Sequence, residues 1–252
     1  MHDKKILLID VGNSLIKVGI WHKGELLKNK LCTLETLYSE LSSYEKLNVS
    51  EILFTSVISE TKTNKIYSIL TKKFNVEITQ IKSKRSFLGV KNGYKQPTKL
   101  GDDRWCSIVG GHHLYKKSFI IVDCGTAISL DCVGEDAVHK GGYIFSGFEG
   151  YWQSFTNAYG LKDLRIKKQK VKSLSPAKST SDALIKGYIL MISSVIEKIY
   201  ANFSSESRDK PKLIITGSYG AEVSKSLNIK SIFEPNLVLK SLGVIFEKKS
   251  KL

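Results

Sequence analysis

The chain has 252 residues, 42% of them hydrophobic and 25% charged, with a formal charge of +15 at pH 7. That balance excludes a disordered or low-complexity chain, and no apolar run approaches the roughly eighteen residues of a membrane span. The length fits one large domain or two of about 120 residues each. The four cysteines, Cys32, Cys106, Cys124 and Cys132, show neither C-x-x-C spacing nor a paired framework. They read as reduced residues of a cytosolic protein. Met1-His2-Asp3-Lys4-Lys5 runs straight into a short strand without the apolar core of a secretion signal, so a cytoplasmic location is expected.

The charge is uneven. Residues 101–160 carry 4 Lys/Arg against 7 Asp/Glu, whereas residues 161–252 carry 18 against 8. A stripe of Lys162, Arg165, Lys167, Lys168, Lys170 and Lys172 would suit nucleic acid or acidic lipid. The lysines are spread along the chain, however, with no interleaved aromatics to stack bases. A solvated face is the preferred reading, and neither a membrane nor nucleic acid is an expected partner.

In chain order, Ile6-Leu7-Leu8-Ile9 is an apolar run that predicts a buried strand, followed by the turn Asp10-Val11-Gly12-Asn13-Ser14. Leu15 to Trp21 predicts a second strand, and Lys23-Gly24-Glu25-Leu26 the next turn. Leu34, Leu37, Tyr38, Leu41 and Tyr44 have helical spacing across 34–46. Glu51 to Val57 is strand-like and 62–73 helical, which makes a β-β-α-β-α order typical of a mixed α/β layer. Farther on, Ile128 to Val133 and Gly141 to Phe145 predict strands, and Ser173 to Ser181 is the most loop-like stretch. Residues 182–203 carry the longest helical pattern, Lys212 to Gly217 a strand and glycine turn, and Leu242 to Lys251 an exposed terminal helix.

One phrase occurs twice. Ile6 to Ser14 recurs as Phe119-Ile120-Ile121-Val122-Asp123-Cys124-Gly125-Thr126-Ala127, each copy an apolar strand ending in Asp-x-Gly and a small polar residue. A lone Asp-Gly after a strand is an ordinary turn former. Two copies with the same flanks point further. Glycine lets the backbone approach a ligand, hydroxyls and amides can donate to phosphate oxygens, and the carboxylate can hold a cation. Two such turns facing each other would grip a nucleotide polyphosphate, as in the duplicated actin-like ATPases.

The P-loop, protein-kinase and dinucleotide signatures are absent. His112 and His113 are adjacent and would point about 100° apart on a helix, so a shared metal is not expected. The sharpest local feature is Asn92-Gly93-Tyr94-Lys95-Gln96-Pro97-Thr98-Lys99-Leu100-Gly101-Asp102-Asp103-Arg104-Trp105, in which Asn-Gly and Gln-Pro mark irregular backbone. An aspartate at a helix start is an ordinary cap. Arg104 in the first turn is not, because positive charge is unfavourable there.

Together these stretches resemble the type III pantothenate kinases, a branch of the actin-like kinase superfamily. Asp10-Val11-Gly12-Asn13-Ser14 is similar to that family's DxGNT motif, and Tyr94 to Arg104 to its Y-x-x-P-x-x-L-G-x-D-R motif. Asp123 to Ala127 with Asp131, Gly141-Gly142-Tyr143-Ile144 and Ser179-Thr180-x-x-Ala183 are similar to its later motifs. The resemblance implies two duplicated RNase H-like α/β domains, 1–117 and 118–252, with the nucleotide cleft between them. It implies ATP-dependent phosphorylation of pantothenate to 4′-phosphopantothenate, the first step of coenzyme A synthesis, by a homodimer. Asp10, Val11, Gly12, Asn13, Ser14, Leu15, Ile16 and Lys17, with Thr126, would contact ATP. Tyr94, Gly101, Asp102, Asp103, Arg104 and Thr180 would line the pantothenate pocket, with Asp103 as general base. Asp123 would hold a monovalent cation, K⁺ or NH₄⁺, and Asp10 would face Mg²⁺.

Some positions depart from the family pattern. Ser14 stands for threonine, Ser146 for proline, Ser179 for asparagine and Ser218 for glycine, and Ala127-Ile128-Ser129 replaces a threonine-rich run. None removes a charged group, but several loosen the nucleotide side. The alternative reading is a weak or inactive relative serving as a regulatory accessory factor. The retained Asp10, Asp103, Arg104 and Asp123 favour the enzyme.

Overall fold

The computed structural model describes residues 4–155 and 173–250, so the Lys162–Lys172 stripe lies outside the described residues. The chain divides into two compact units. One takes the chain up to Lys116, then Ala137–His139 and the stretch from Asn236 onward; the other takes Lys117–Asp136 and Lys140–Pro235.

The first unit is built on strands β1 (Lys5–Val11), β2 (Ile16–His22), β3 (Glu25–Cys32), β4 (Val49–Ser56) and β5 (Glu77–Gln80), in sheet order β3-β2-β1-β4-β5. β1 runs antiparallel to β2 and parallel to β4. Side chains alternate across a strand. Leu7, Ile9 and Val11 therefore join the core under helices α1 (Leu37–Glu45) and α2 (Glu60–Lys73). Ile6, Leu8 and Asp10 point to the opposite face, where helix α3 (Asp102–Tyr115) packs on β4. Between β5 and α3 come a small hairpin, β6 (Ser86–Phe87) with β7 (Val90–Lys91), and a 3-10 turn at Pro97–Lys99.

β3 corrects the expected β-β-α-β-α order to β-β-β-α-β-α. Lys23 (φ 50°) and Gly24 (φ 84°) take the left-handed backbone of a tight hairpin turn, which sends the chain back along β2. Most of β3 is exposed, so no alternation of apolar residues marks it as a strand.

The second unit repeats the plan. Strands β8 (Phe119–Cys124), β9 (Ala127–Val133), β10 (His139–Ser146), β11 (Lys212–Thr216) and β12 (Ile232–Phe233) lie in the order β10-β9-β8-β11-β12. Ile120, Val122 and Cys124 pack with Ile185, Tyr188, Ile189 and Ile192, the apolar stripe of the long helix α5 (Thr180–Ser205). The short helices α4 (Phe148–Gln153) and α6 (Gly220–Ser226) add Phe148 and Val223 to this core. Ser179 caps α5, its hydroxyl accepting from the Asp182 N–H at 3.3 Å, so the helix opens inside the stretch expected to be loop.

The terminal helix α7 (Leu237–Lys249) is not the exposed helix expected. Leu237, Val238, Leu239, Leu242 and Ile245 are buried, and the helix packs on α3 and on β1 to β4. Small residues permit this close approach. A Cβ added at Gly110 of α3 would land on the Cα and side chain of Ser241, and one added at Gly243 would strike the Trp21 indole. Trp21 Nε1 then donates to Glu247 Oε1 at 3.0 Å. All four cysteines are free and buried. Burial, aided by nearby carboxylates, raises the Cys32 and Cys132 thiols to about 11 and about 12 and Cys124 higher still.

This packing predicts two glycine substitutions of opposite sign. Gly110→Ala should cost about 1–3 kcal/mol through overpacking against a backbone that cannot yield. Gly187→Ala sits at an exposed helical position whose nearest neighbour, Tyr151 Oη, is 3.9 Å away. It should stabilise by roughly 0.5–1 kcal/mol. Thermal unfolding of the two variants checks both signs.

Candidate active site

The first Asp-x-Gly turn ends β1. Asp10 is 8% exposed and pairs across the sheet with Lys17 on β2 and with Thr55 on β4. Gly12 N–H closes the turn on Leu15 O at 3.1 Å, leaving Asn13, Ser14 and Leu15 exposed at its tip.

Asp10 lies on the α3 side of its sheet, and the first turn of α3 carries Asp102 and Asp103. Burial pushes the fully buried thiol of Cys106, one turn into α3, well up; the next contributions come from Asp10, Asp103 and Asp102, in that order.

Each residue at the head of α3 has its own anchor. Gly101 caps the helix, and the position of a Cβ there would lie 2.7 Å from Asp103 Oδ1. The same oxygen accepts the Arg104 N–H at 2.6 Å. Asp102 Oδ1 accepts the Ser83 N–H at 2.7 Å, and burial raises its pKa from the ordinary aspartate value against the lowering effect of that bond. Two acids in the first turn suit the positive end of the helix dipole. Arg104 is there because it reaches out of the turn: its guanidinium donates to Tyr94 Oη at 3.0 Å and lies 5.6 Å from the centre of that ring.

Tyr94 sits on a loop held by polar side chains. Its N–H donates to Asn92 Oδ1 at 3.0 Å, and Asn92 Nδ2 donates to Ser83 Oγ and Pro97 O. Asn92 and Ser83 were not among the site residues read from the sequence. Asn92-Gly93 reads only as a turn signal, and nothing near Ser83 marks it as an anchor.

In the second unit, Asp123 ends β8 as Asp10 ends β1. It pairs with Ser129 on β9 and with Thr216 on β11, the counterpart of Thr55. Gly125 N–H closes the turn on Ala127 O at 3.1 Å, one residue sooner than in the first copy. Gly217, with φ of +89°, would bring a Cβ to 2.5 Å from Asp123 Oδ1. A Cβ on Gly147 would fall on the Thr126 carbonyl. Backbone without side chains thus surrounds this turn, and Thr126 is exposed. Thr180 is exposed at the first position of α5.

Two five-stranded sheets of the same order, each with an Asp-x-Gly turn at the end of its central strand, define the class: an actin-like ATPase fold of the kind used by sugar kinases. Solved structures agree on the fold. A Campylobacter jejuni protein described as a Baf family transcriptional activator superposes with a TM-score of 0.65 at 20% identity, covering 98% of this chain and 100% of that one. A Sinorhizobium meliloti protein described as a 2-dehydro-3-deoxygalactonokinase gives 0.59 at 12% identity, covering 98% and 97%. Within that class the family is narrower. Residues 6–202 match the family model for type III pantothenate kinase. The chain is 30% identical over 247 residues to the type III pantothenate kinase of Pseudomonas aeruginosa (strain LESB58), covering 95% of this chain and 98% of the relative. That of Cellvibrio japonicus (strain Ueda107) is 30% identical over 258 residues, covering 97% and 98%. The chain belongs to the type III pantothenate kinase family: enzymes that phosphorylate pantothenate with ATP, and its associated divalent metal ion, in coenzyme A synthesis.

In the first unit Asp102, Asp103 and Arg104 share the first turn of α3 and Arg104 reaches Tyr94, while Asp10 ends β1; in the second, Asp123 and Thr126 flank one turn. Gly101→Ala tests how the carboxylate of Asp103 is placed. The clash is with the end of a movable side chain, so the unfolding temperature should stay within a few degrees of the parent. If that carboxylate takes part in the reaction, its displacement should lower kcat for pantothenate by about tenfold or more.

Proposed function

We propose that Asp103 is the general base of this kinase. It accepts the proton of the primary hydroxyl of pantothenate as that oxygen attacks the γ-phosphorus of ATP. The observation that carries this reading is the carboxylate of Asp103 in the first turn of α3 beside Arg104, whose guanidinium meets the Tyr94 hydroxyl, in a chain of this family. A primary alcohol needs a carboxylate to orient it and take its proton. The charge spreading over the γ-phosphoryl needs amides, hydroxyls and cations around it. Tyr94, Gly101, Asp102, Arg104 and Thr180 line the pantothenate pocket in this reading, and Asp10 to Lys17 with Thr126 bind the polyphosphate. The halves 1–117 and 118–252 act as the two duplicated domains, with α7 returning to the first, in a cytoplasmic homodimer.

The residues present fit the ions that the family implies. Mg²⁺ takes one or two carboxylates and fills its shell with phosphate oxygens and water, and Asp10, at the end of β1, would hold it. Its chemistry when bound is neutralisation of charge on the β- and γ-phosphate oxygens. Asp123, bordered by the bare backbone of Gly125 and Gly217, would hold K⁺ or NH₄⁺.

Asp103→Asn should lower kcat by about 10²- to 10⁴-fold, the usual contribution of a positioned base, while titration calorimetry still detects ATP binding. Turnover like that of the parent would remove Asp103 from the mechanism. Exchange of K⁺ for Na⁺ should lower turnover of the parent enzyme. The Asp123→Asn variant should turn over slowly in both salts, with the difference between them lost.

A further inference from the structure

We propose that His139 is a positioning residue for the acceptor pocket: its buried ring carries Tyr94 and, through the Tyr94 hydroxyl, the Arg104 guanidinium. The proposal rests on the reading of Tyr94 and Arg104 as pantothenate-binding residues, and it adds a residue that does not itself touch substrate.

Tyr94 needs such a support. It stands on a loop whose neighbours Gly93, Lys95 and Gln96 are exposed, and its own side chain is only half-buried. Asn92 Oδ1 holds its N–H, and Arg85 donates to its carbonyl at 3.2 Å. Both bonds fix the backbone and leave the ring free to turn about χ1. Among the described residues, Arg104 and His139 meet the ring itself. Arg104 reaches its hydroxyl, and His139 stacks on it with centroids 5.7 Å apart and planes inclined by 22°.

His139 is a firm base because its own placement comes from backbone. It is 0% exposed. Ala137 O accepts the Lys91 N–H at 2.9 Å, and Val138 bridges Lys91 in parallel, so the three residues Ala137–His139 join the first unit beside β7. Ala137 enters this segment at φ of 58°, a left-handed conformation rare for alanine. Asp103 is placed differently, by the space at Gly101 and by the Arg104 N–H. Loss of the His139 ring should therefore loosen the binding of pantothenate more than it slows the chemical step.

The test compares His139→Ala, His139→Phe and His139→Leu with Tyr94→Ala and Arg104→Ala by steady-state kinetics, with thermal unfolding measured for each. His139→Ala should raise KM for pantothenate about 3- to 10-fold, the range an aromatic pair carries. KM for ATP and kcat should stay within about twofold, the pattern of lost ground-state binding. His139→Phe should restore the pantothenate KM and His139→Leu should not. Phe and Leu both fill the site, so their comparison decides the matter even if the alanine variant fails to fold. Equal behaviour of Phe and Leu overturns the proposal, as does a change of both KM values together. If Tyr94→Ala and Arg104→Ala raise the pantothenate KM while His139→Ala leaves it unchanged, the role of His139 falls and the pocket stands. If Tyr94→Ala and Arg104→Ala leave that KM unchanged, the pocket itself is wrongly assigned.

Discussion

The carboxylates of this kinase are positioned by atoms that are missing. Beside Asp103 the missing atom is the Cβ of Gly101, and beside Asp123 it is the Cβ of Gly217. In each case a carboxylate oxygen occupies room that any other residue would fill. At Gly217 the backbone adds a second demand, because φ of +89° strains every L side chain. At Gly101 the backbone is ordinary, and only space is at stake. The two glycines serve one end by different physical means, and they would tolerate substitution differently.

Much of this was legible in the sequence, and the reason is burial. Ile6 to Ile9 and Phe119 to Val122 lie at the centres of their sheets, so both faces require apolar residues and the runs stand out. The Asp-x-Gly turns are legible because each follows such a run. Three of the four edge strands were not, β10 being the exception. β3 is exposed, β12 is only two residues long, and β5 is never fully buried, so none carries a strand pattern. The burial of α7 escaped for another reason. Gly110, Ser241 and Gly243 are small because each faces another element closely. A small residue announces that fit only when its partner is known.

The anomaly of Arg104 was visible, and its cause was not. A cation in the first turn of a helix is disfavoured, yet here the long side chain leaves the turn and finds the Tyr94 hydroxyl. The sequence shows the exception, and only the fold supplies the acceptor. The duplication shows a similar limit. Both aspartates keep a threonine at the same register on the neighbouring parallel strand, Thr55 and Thr216, which no linear motif displays. The turns themselves have diverged by one residue, so Asn13 and Ser14 have no one-to-one counterparts in Thr126 and Ala127.

The four buried thiols have a practical side. None is more than 7% exposed, and their raised pKa values keep the nucleophilic thiolate scarce at neutral pH. A maleimide dye added to the native protein should find little to modify. A single cysteine introduced on the surface could then be labelled with the natural four left in place, giving a fluorescent reporter without first building a cysteine-free background.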